Sequence, residues 1–337
     1  MDTTQFVIDT NTHTEIVQSL AEKLKAYYVF PDIAEQICIC LQKHLEGGEY
    51  TDITEGEFFS KILTEHIQEV NQDKHLIVRG YPEPLPDCEG PMCQNQEWQD
   101  EQRQQAELDN YGLHKVERLP GNVGYLDIRE FYNSSWAGDT AVAAMNFLAN
   151  TNVLIVDLRK CRGGDQDTIA LISSYLFGQE RAQLTSLYWR EGDVTQEYWT
   201  LPHVPGKRYG GKPIYVLTSK DTFSGAEAFA YDLKTHQRAT LIGEVTRGGA
   251  HPGTKYRLHP HFDVFIPNGR AINPITGTNW EGSGVTPDTP IPQEQALKVA
   301  YSMALKSIIA SLGESPSRPF KALAEEAQAA LKDLETA

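Results

Sequence analysis

One serine of this chain lies at a position where the predicted fold could make its hydroxyl reactive. In PIYVLTSKDTFSGAEAFAYDLK, a buried strand from Pro213 is followed by a short polar loop and a helix whose first turn contains Ser224. There the hydroxyl oxygen would lie at the positive end of the helix dipole, among backbone N–H groups without a helical acceptor. Negative charge formed at this point would be stabilised, as a nucleophilic serine requires. Ser219, at the strand end, is a weaker candidate of the same kind.

The same segment also suits a purely structural role. Ser224 with Glu227 three residues later forms a capping box, which satisfies backbone donors at a helix start. The serine elbow of α/β-hydrolases, GxSxG, is not matched, because Thr222 and Ala226 occupy the glycine positions. Helix capping and nucleophilic chemistry therefore both remain open on the pattern alone.

A glycine pair follows a second apolar run, in NVLIVDLRKCRGGDQD. Gly163 and Gly164 lack Cβ atoms, so a backbone N–H can approach a ligand closely there, as a donor to an oxyanion must. One such donor typically contributes about 100- to 1000-fold in rate. A sharp strand-to-helix turn without a ligand is the alternative. Neither this turn nor GEVTRGGAHPG contains GxGxxG, so dinucleotide binding is poorly supported.

Two histidines and one glutamate are candidate partners for a serine. His75, in NQDKHLIVRG, lies between a polar turn and a short apolar run, where a side chain can face a cleft. His251, beside the glycines of GGAHPG, is the competing general base. Glu281, in NWEGSGVTPD, suits the carboxylate that orients an imidazole. Taken singly, each of the three also suits a structural role.

No metal or cofactor is predicted. His259 and His261 are two residues apart, but no third ligand accompanies them at zinc spacing. The chain has five cysteines, an odd and sparse set that does not indicate a disulfide framework. Cys88 and Cys93, in CEGPMC, could pair or help hold a metal, but no second group of ligands lies nearby. We interpret the thiols as incidental.

The elements that must position these residues change character near Gly121. Before Val70 the apolar residues have helical spacing, and breaks at Phe30-Pro31 and Gly47-Gly48 divide the stretch into three helices. After Gly121, short runs rich in Val and Ile alternate with helical stretches. This alternation predicts an α/β layered domain whose sheet is covered by helices.

The composition of the chain limits the kinds of partner that it can bind. The chain has 337 residues, enough for about two domains. Its 30 Lys and Arg against 46 Asp and Glu leave a net charge of −16, the wrong sign for phosphate backbones or anionic lipid. We therefore expect no nucleic acid or membrane partner. The first 25 residues are polar and acidic, where a signal peptide would be basic and then apolar, so a cytoplasmic location is expected.

Two segments lie outside this core. Residues 80–113 contain Pro82, Pro84 and Pro86 and then a Gln- and acid-rich run, and we interpret them as a surface insertion that is mobile or forms a short solvated helix. The tail after Pro319 has an amphipathic helical pattern. Packing of this tail onto the body is one interpretation, and a contact between subunits of a homo-oligomer is the other.

Taken together, these segments resemble the tail-specific, or C-terminal processing, serine peptidases, in particular the branch of the tricorn protease core and the modules of interphotoreceptor retinoid-binding protein. The resemblance covers nearly the whole chain. It rests on seven segments in family order: YVFPDIAEQI, NQDKHLIV, GNVGYLDIREF, VLIVDLRKCRGG, VLTSKDTFSGAEAFAYDLK, RATLIGEVTRGGAHP and WEGSGVTPDTPI.

The resemblance implies a crotonase-like (ClpP/crotonase-type) ββα superhelix preceded by a small three-helix domain. No segment between His75 and Gly121 resembles the PDZ-like domain that many of these peptidases carry. The implied division has four parts: an N-terminal helical domain 1–72, a segment with the histidine and the surface insertion 73–120, a peptidase core 121–312 and a C-terminal helical tail 313–337.

The resemblance also implies roles for individual residues. Ser224 matches the nucleophile, and His75 and Glu281 match the base and the orienting carboxylate of the tricorn-like branch. The implied oxyanion donors are the N–H of Gly225 with that of Gly163 or Gly164.

The chain departs at two places from the family that it resembles. The lysine that Ser/Lys members carry 25 residues after the serine is absent, because Gly249 occupies that position. Lys74 replaces the serine that precedes the histidine in tricorn-type sites, which puts an auxiliary hydrogen bond to the glutamate in doubt.

Three functions compete on this evidence. The first is a serine endopeptidase or oligopeptidase acting on a peptide or protein substrate. The second is a non-catalytic module of the same fold that binds a retinoid, a fatty acid or a peptide. The third, an acyl-CoA enzyme of the crotonase type, shares only the paired oxyanion donors and rests on analogy of fold.

Overall fold

The computed structural model describes residues 6–85, 96–313 and 317–336, and the chain divides into two units. The first unit comprises Met1–Asp100, Leu187–Gln196 and His251–Ile272, and the second comprises Glu101–Ser186, Glu197–Ala250 and Asn273–Ala337. Each unit is thus assembled from separate stretches of the chain, whereas the division implied by the resemblance uses contiguous segments. The limits of that division stay a prediction.

The first unit begins with three helices, α1 (Thr10–Tyr27), α2 (Pro31–Glu46) and α3 (Gly56–Val70). Asp9 caps α1, accepting a hydrogen bond from the backbone N of Thr12 at 2.8 Å, and Pro31 begins α2 where its missing N–H costs nothing. Fully buried apolar side chains hold the helices together: Leu20, Leu24, Ile37, Leu41, Phe59 and Leu63. The predicted three-helix start is confirmed.

Two small sheets complete this unit. In the first, β10 (Phe262–Pro267) lies between β1 (Ile77–Gly80) and β9 (Gly253–His259), and both pairings are antiparallel. The second has the order β11-β5-β6, with bounds Gly269–Ile272, Ser186–Trp189 and Val194–Gln196. Apolar residues of β1, β9 and β10 join the helical core.

The second unit contains a six-stranded sheet in the order β12-β8-β7-β4-β3-β2. The bounds, in that order, are Thr289–Pro290, Thr240–Gly243, Ile214–Thr218, Val153–Asp157, Val123–Ile128 and Leu113–Leu119. All pairings are parallel except the one between β2 and β3. Every residue of β3, β4 and β7 is buried, as expected for parallel strands covered on both faces. The predicted mixed α/β class is confirmed.

Helices pack around this sheet. Their bounds are α5 (Ser134–Leu148), α6 (Gln166–Leu176), α7 (Gly225–Thr235), α8 (Gln293–Leu312) and α9 (Arg318–Thr336). The tail helix α9 packs against the core that α8 shares with the strands: Ala327 is fully buried, with Leu323 and Leu331 beside it. Packing onto the body therefore accounts for these apolar residues of the tail, while Phe320 stays half exposed.

The surface insertion includes one helix, α4 (Gln96–Leu108), followed by a single 3-10 turn at Asn110–Gly112. Residues 100–105 of α4 are exposed, in line with the solvated-helix interpretation. The CEGPMC segment with Cys88 and Cys93 lies outside the described residues. In the described part of the chain, no helix combines the length and apolar character needed to cross a membrane.

Candidate active site

Ser224 lies in the turn between β7 and α7, immediately before the first residue of the helix. Its backbone has φ 55° and ψ −122°, in the left-handed half of the conformational map that non-glycine residues rarely occupy. Such a conformation costs on the order of 1–3 kcal/mol and is found mainly where function requires it. An ordinary helix cap has no need of this strain, because a capping residue normally has an extended backbone.

A buried carboxylate fixes the strained turn. Glu227 is fully buried in the first turn of α7 and accepts a hydrogen bond from the backbone N of Ser224 at 2.9 Å. It also accepts from Thr246 Oγ1 at 2.5 Å and from the backbone N atoms of Gly248 and Gly249 at 2.6 and 2.9 Å. Burial raises the pKa of the Glu227 carboxyl, and the four donors oppose that rise because they stabilise the ionised form. Glu227 thus ties the serine turn to the loop at residues 246–250.

The glycine pair lies directly against the serine turn. Gly163 and Gly164 have φ of 102° and 128°, and a Cβ added to Gly163 would lie 2.5 Å from the backbone N of Gly225 and 2.9 Å from Ser224 Cβ. A Cβ added to Gly225 would in turn lie 2.9 Å from the backbone N of Gly164. The two turns are therefore in backbone contact, and side chains at these glycine positions would force them apart.

This contact places two backbone donors side by side. Within the described residues, the N–H groups of Gly164 and Gly225 make no hydrogen bond to the protein. Burial raises the pKa of the Cys161 thiol to about 12, and the backbone of Gly163 opposes that rise. The N–H groups of Gly164 and Gly225 are placed like the paired donors of an oxyanion hole.

Ser219, the weaker serine candidate, has a structural role. It is fully buried, and its Oγ donates to the backbone O of Arg159 at 2.5 Å. Thr222 Oγ1 makes a similar bond to the backbone O of Leu158 at 2.8 Å. These two bonds join the loop after β7 to the loop after β4.

Glu281 is held by the same loop that binds Glu227. Its Oε2 accepts from the backbone N of Ala250 at 2.5 Å, and the neighbouring Trp280 donates from Nε1 to the backbone O of Gly249 at 2.9 Å. The backbone N of Val285 donates to Thr246 Oγ1 at 2.7 Å, so both ends of the 281–285 loop are attached to residues 246–250. Ser224 and Glu281 are therefore connected through one hydrogen-bonded network within the second unit.

His75 belongs to the first unit, in the loop between α3 and β1, and a buried aspartate organises its surroundings. Asp73 is 1% exposed, and its Oδ1 accepts from the backbone N of His75 at 3.0 Å. Its Oδ2 accepts from the Tyr28 hydroxyl at 3.1 Å and lies 2.7 Å from His251 Nδ1. Asp73 thereby joins the end of α1, the histidine loop and the start of β9.

His251, the competing base, is 6% exposed and is paired with Asp73. Its ring also packs edge-on against Phe30, with ring centroids 5.2 Å apart. His75 is less buried, with its ring 5.8 Å from that of Phe265. A structural role for His251 is therefore evident from its contacts.

Sequence reasoning missed three residues that organise these sites. The sequence pattern indicates Glu227 only as half of a capping box and indicates no role for Asp73 or Thr246. A local pattern could have revealed Asp73, because an aspartate side chain commonly accepts a hydrogen bond from the backbone N–H two residues later. The contacts of Glu227 and Thr246 join segments far apart in sequence, so no local pattern reveals them.

A polar groove of about 940 Å³ opens beside the serine turn in the second unit. Phe223 and Arg247 belong to its lining, and the Arg247 guanidinium lies 4.7 Å from the centre of the Phe223 ring. Further cationic groups come from Arg129, Lys160 and Arg162, and acidic ones from Asp109, Glu130 and Asp221. The groove therefore carries charges of both signs on a chain that is acidic overall.

Comparison with known proteins identifies the family of this chain. The model of "Peptidase family S41" matches residues 122–291, and that of the "N-terminal domain of Peptidase_S41 in eukaryotic IRBP" matches residues 1–109. The chain belongs to peptidase family S41, and the family predicted from the sequence is confirmed.

The individual proteins that this chain resembles share limited sequence identity with it. A carboxy-terminal-processing protease of Bartonella bacilliformis is 28% identical over 214 residues, which cover 60% of this chain and 44% of that protein. The chain thus spans less than half the length of this curated relative. Among solved structures, one described as a peptidase from Parabacteroides merdae has a TM-score of 0.60 at 17% identity, covering 87% of this chain and 96% of that one. The tricorn protease has a TM-score of 0.55 at 14% identity, covering 96% and 37%. These two likenesses support the fold.

Proposed function

We propose that this chain is a serine peptidase in which Ser224 attacks the carbonyl of a peptide bond. The observation that carries the proposal is the strained backbone of Ser224, in direct contact with the Gly163–Gly164 turn. A hydroxyl, a helix N-terminus and two unused backbone donors at one point are what acyl transfer requires. Membership of a peptidase family supports the same chemistry.

In this proposal His75 is the general base. A serine hydroxyl is a weak nucleophile, so His75 takes its proton as attack begins and returns it to the leaving amine, a contribution of about 10²- to 10⁴-fold. Glu281 holds the imidazole in the required tautomer and stabilises the imidazolium. Two contacts favour these assignments: the backbone N of Ala250 holds the Glu281 carboxylate, and Asp73 holds the backbone of His75.

The oxyanion of the tetrahedral intermediate is held by the N–H groups of Gly225 and Gly164 in this scheme. Gly163 then has a different task, which is to let the two turns touch. The groove beside Phe223 is the proposed binding region for the peptide, with charged groups of both signs available to its termini and side chains. We further propose that the protein acts as an endopeptidase or oligopeptidase, is located in the cytoplasm and self-associates.

The first experiment is labelling with a fluorophosphonate probe, which reacts with activated serines. We expect the wild-type protein to be labelled and Ser224→Ala to remain unlabelled, with Ser219→Ala labelled as a matched serine control. Turnover of a peptide pool should fall on the order of 10⁶-fold in Ser224→Ala, as for other serine triads. A wild-type protein that is folded but never labelled would favour the binding module of the same fold.

The second experiment separates the two histidines. We expect His75→Ala to abolish labelling and peptide turnover, and His251→Gln to keep measurable turnover because it retains a polar group near Asp73. Circular dichroism of each variant controls for folding. Loss of turnover in His251→Gln, with His75→Ala fully active, would transfer the role of base to His251.

A further inference from the structure

A cluster of metal-binding side chain types lies in the three-helix region, on helices α2 and α3. Cys40 and His44 are one turn apart on α2, which places them on the same face of that helix, and Glu69 comes from α3. One ligand atom from each of the three lies within 4.8 Å of the others. All three residues belong to the first unit and have no part in the proposed peptidase chemistry.

Two of the distances between these atoms lie close to the edges of a tetrahedral zinc site. Zinc binds sulfur at about 2.3 Å and nitrogen or carboxylate oxygen at about 2.0–2.2 Å, so tetrahedral geometry sets S···O edges of about 3.5 Å and N···O edges of about 3.3 Å. Cys40 Sγ lies 3.9 Å from Glu69 Oε2, and His44 Nε2 lies 3.4 Å from the same oxygen. Only small side-chain movements separate this arrangement from a coordinated ion.

A fourth residue orients the histidine. His44 Nδ1 lies 2.9 Å from Glu49 Oε2, and its Nε2 lies 3.4 Å from Glu69 Oε2. Histidine ligands in metalloproteins almost always use the second ring nitrogen in this way, donating it to a carboxylate that fixes the tautomer and the ring plane. Glu49 is therefore close enough that a small rotation of its carboxylate would let it accept from His44 Nδ1 and fix the tautomer that a metal at Nε2 needs.

His66 is close to the cluster but has a different geometry. Its ring stacks on that of His44, with centroids 3.6 Å apart and an interplanar angle of 10°. Two parallel rings cannot both direct an in-plane lone pair at one ion, and His66 Nδ1 is already 2.8 Å from the Tyr50 hydroxyl. His66 thus supports the His44 ring from one side and leaves the fourth coordination position to water.

We propose that Cys40, His44 and Glu69 bind a zinc ion that links α2 to α3, with Glu49 orienting His44 and water as the fourth ligand. Thiolate, imidazole and carboxylate together suit zinc, whereas magnesium and calcium select oxygen ligands alone. Glu49 and Glu69 are exposed, so an ion can enter from solvent. The proposal differs from the sequence-based expectation, which treated the cysteines as incidental and predicted no metal.

The test uses cobalt as a spectroscopic substitute for zinc. The full chain, with Cys88→Ser and Cys93→Ser to remove thiols outside the described residues, is stripped of metal and titrated with Co²⁺. We expect one equivalent to produce thiolate-to-cobalt charge-transfer absorption and the visible bands of tetrahedral cobalt. Zn²⁺ should displace the cobalt, since zinc is bound more tightly by such ligand sets.

Two variant pairs locate the ion. Cys40→Ser should lose the charge-transfer band, whereas Cys38→Ala, which removes the neighbouring buried thiol, should keep it. Glu49→Gln should weaken cobalt binding about 10- to 100-fold, the usual effect of removing a carboxylate behind a histidine ligand. Glu46→Gln, at the end of the same helix, should leave the affinity unchanged.

Three results would overturn the proposal. The first is the absence of any charge-transfer band in a folded protein, and the second is a band that survives in Cys40→Ser. The third is an equal cobalt affinity in Glu49→Gln and Glu46→Gln. Because fluorophosphonate labelling of Ser224 does not depend on the ion, failure of the metal site and failure of the peptidase assignment are distinguishable.

Discussion

Two turns follow neighbouring parallel strands of the six-stranded sheet. Each contains a residue with positive φ, but the two turns use different residue types for it. Along the chain, Gly163 follows the end of β4 by as many residues as Ser224 follows the end of β7, and both have positive φ. The first turn uses glycine, for which this conformation carries no steric penalty. The second uses serine and bears the strain.

The way in which each turn enters its helix differs as well. Asp165 caps α6 with an ordinary extended backbone, and its Oδ1 accepts from the backbone N of Thr168 at 2.9 Å. At α7 the residue before the helix is strained, and the buried Glu227 stabilises it from inside the helix. A turn that only changes chain direction thus uses local capping, whereas the turn that presents a reactive group depends on tertiary contacts.

The largest expected effect on stability comes from Gly163→Ala. The added Cβ would lie 2.5 Å from Gly225 N, 2.8 Å from Phe223 O and 2.9 Å from Ser224 Cβ, and φ is 102°. We expect a loss of about 3 kcal/mol or more in the free energy of unfolding, with loss of fluorophosphonate labelling. Urea denaturation measures the first effect. Gly138→Ala is the control, since nothing lies within 4 Å of its added Cβ.

A Gly163→Ala variant as stable as the Gly138→Ala control would contradict the close contact between the Gly163–Gly164 turn and the Ser224 turn.

Glu227→Gln should have the next largest effect. The amide replaces an acceptor by a donor in a fully buried position where four groups already donate. At least one donor is left unsatisfied, which costs about 2–3 kcal/mol in the free energy of unfolding. Denaturant unfolding near neutral pH provides the measurement. Glu180→Gln, an exposed position, should stay within about 0.5 kcal/mol of wild type.

An unchanged stability in Glu227→Gln would mean that the strained turn does not depend on this carboxylate.

A smaller effect is expected at the ordinary cap. Asp165→Ala removes the acceptor for Thr168 N and should cost about 1 kcal/mol, the usual value for a lost helix cap. Asp165→Asn keeps an acceptor and should lose less. The same urea titrations rank all of these variants. A cost for Asp165→Ala above that of Glu227→Gln would reverse the comparison, because local capping would then outweigh the tertiary network.

The smallest effect has the opposite sign. Ser224→Gly should increase the free energy of unfolding by about 0.5–1 kcal/mol over Ser224→Ala, since glycine relieves the strain at φ 55° and loses part of the gain through its greater freedom in the unfolded chain. Neither variant should be labelled by the probe. Equal stabilities of the two variants would show that the serine turn bears no strain.

Much of this protein followed from its amino-acid order. The helical spacing before Val70 and the apolar runs after Gly121 predicted the three helices and the layered α/β domain, because burial of apolar faces is a local pattern with a fixed period. The glycine pair and the serine at a helix start were visible for the same reason. Family motifs added the match to peptidase family S41.

Other features were decided by the tertiary structure alone. The φ of Ser224, the four donors to Glu227 and the contact between the two turns arise from segments that are distant in the chain, so no window of sequence contains them. The cluster of Cys40, His44 and Glu69 likewise appears only when α3 is placed beside α2. Sequence fixes which groups are available and which elements they start from, whereas packing of those elements sets the distances, and chemistry depends on the distances.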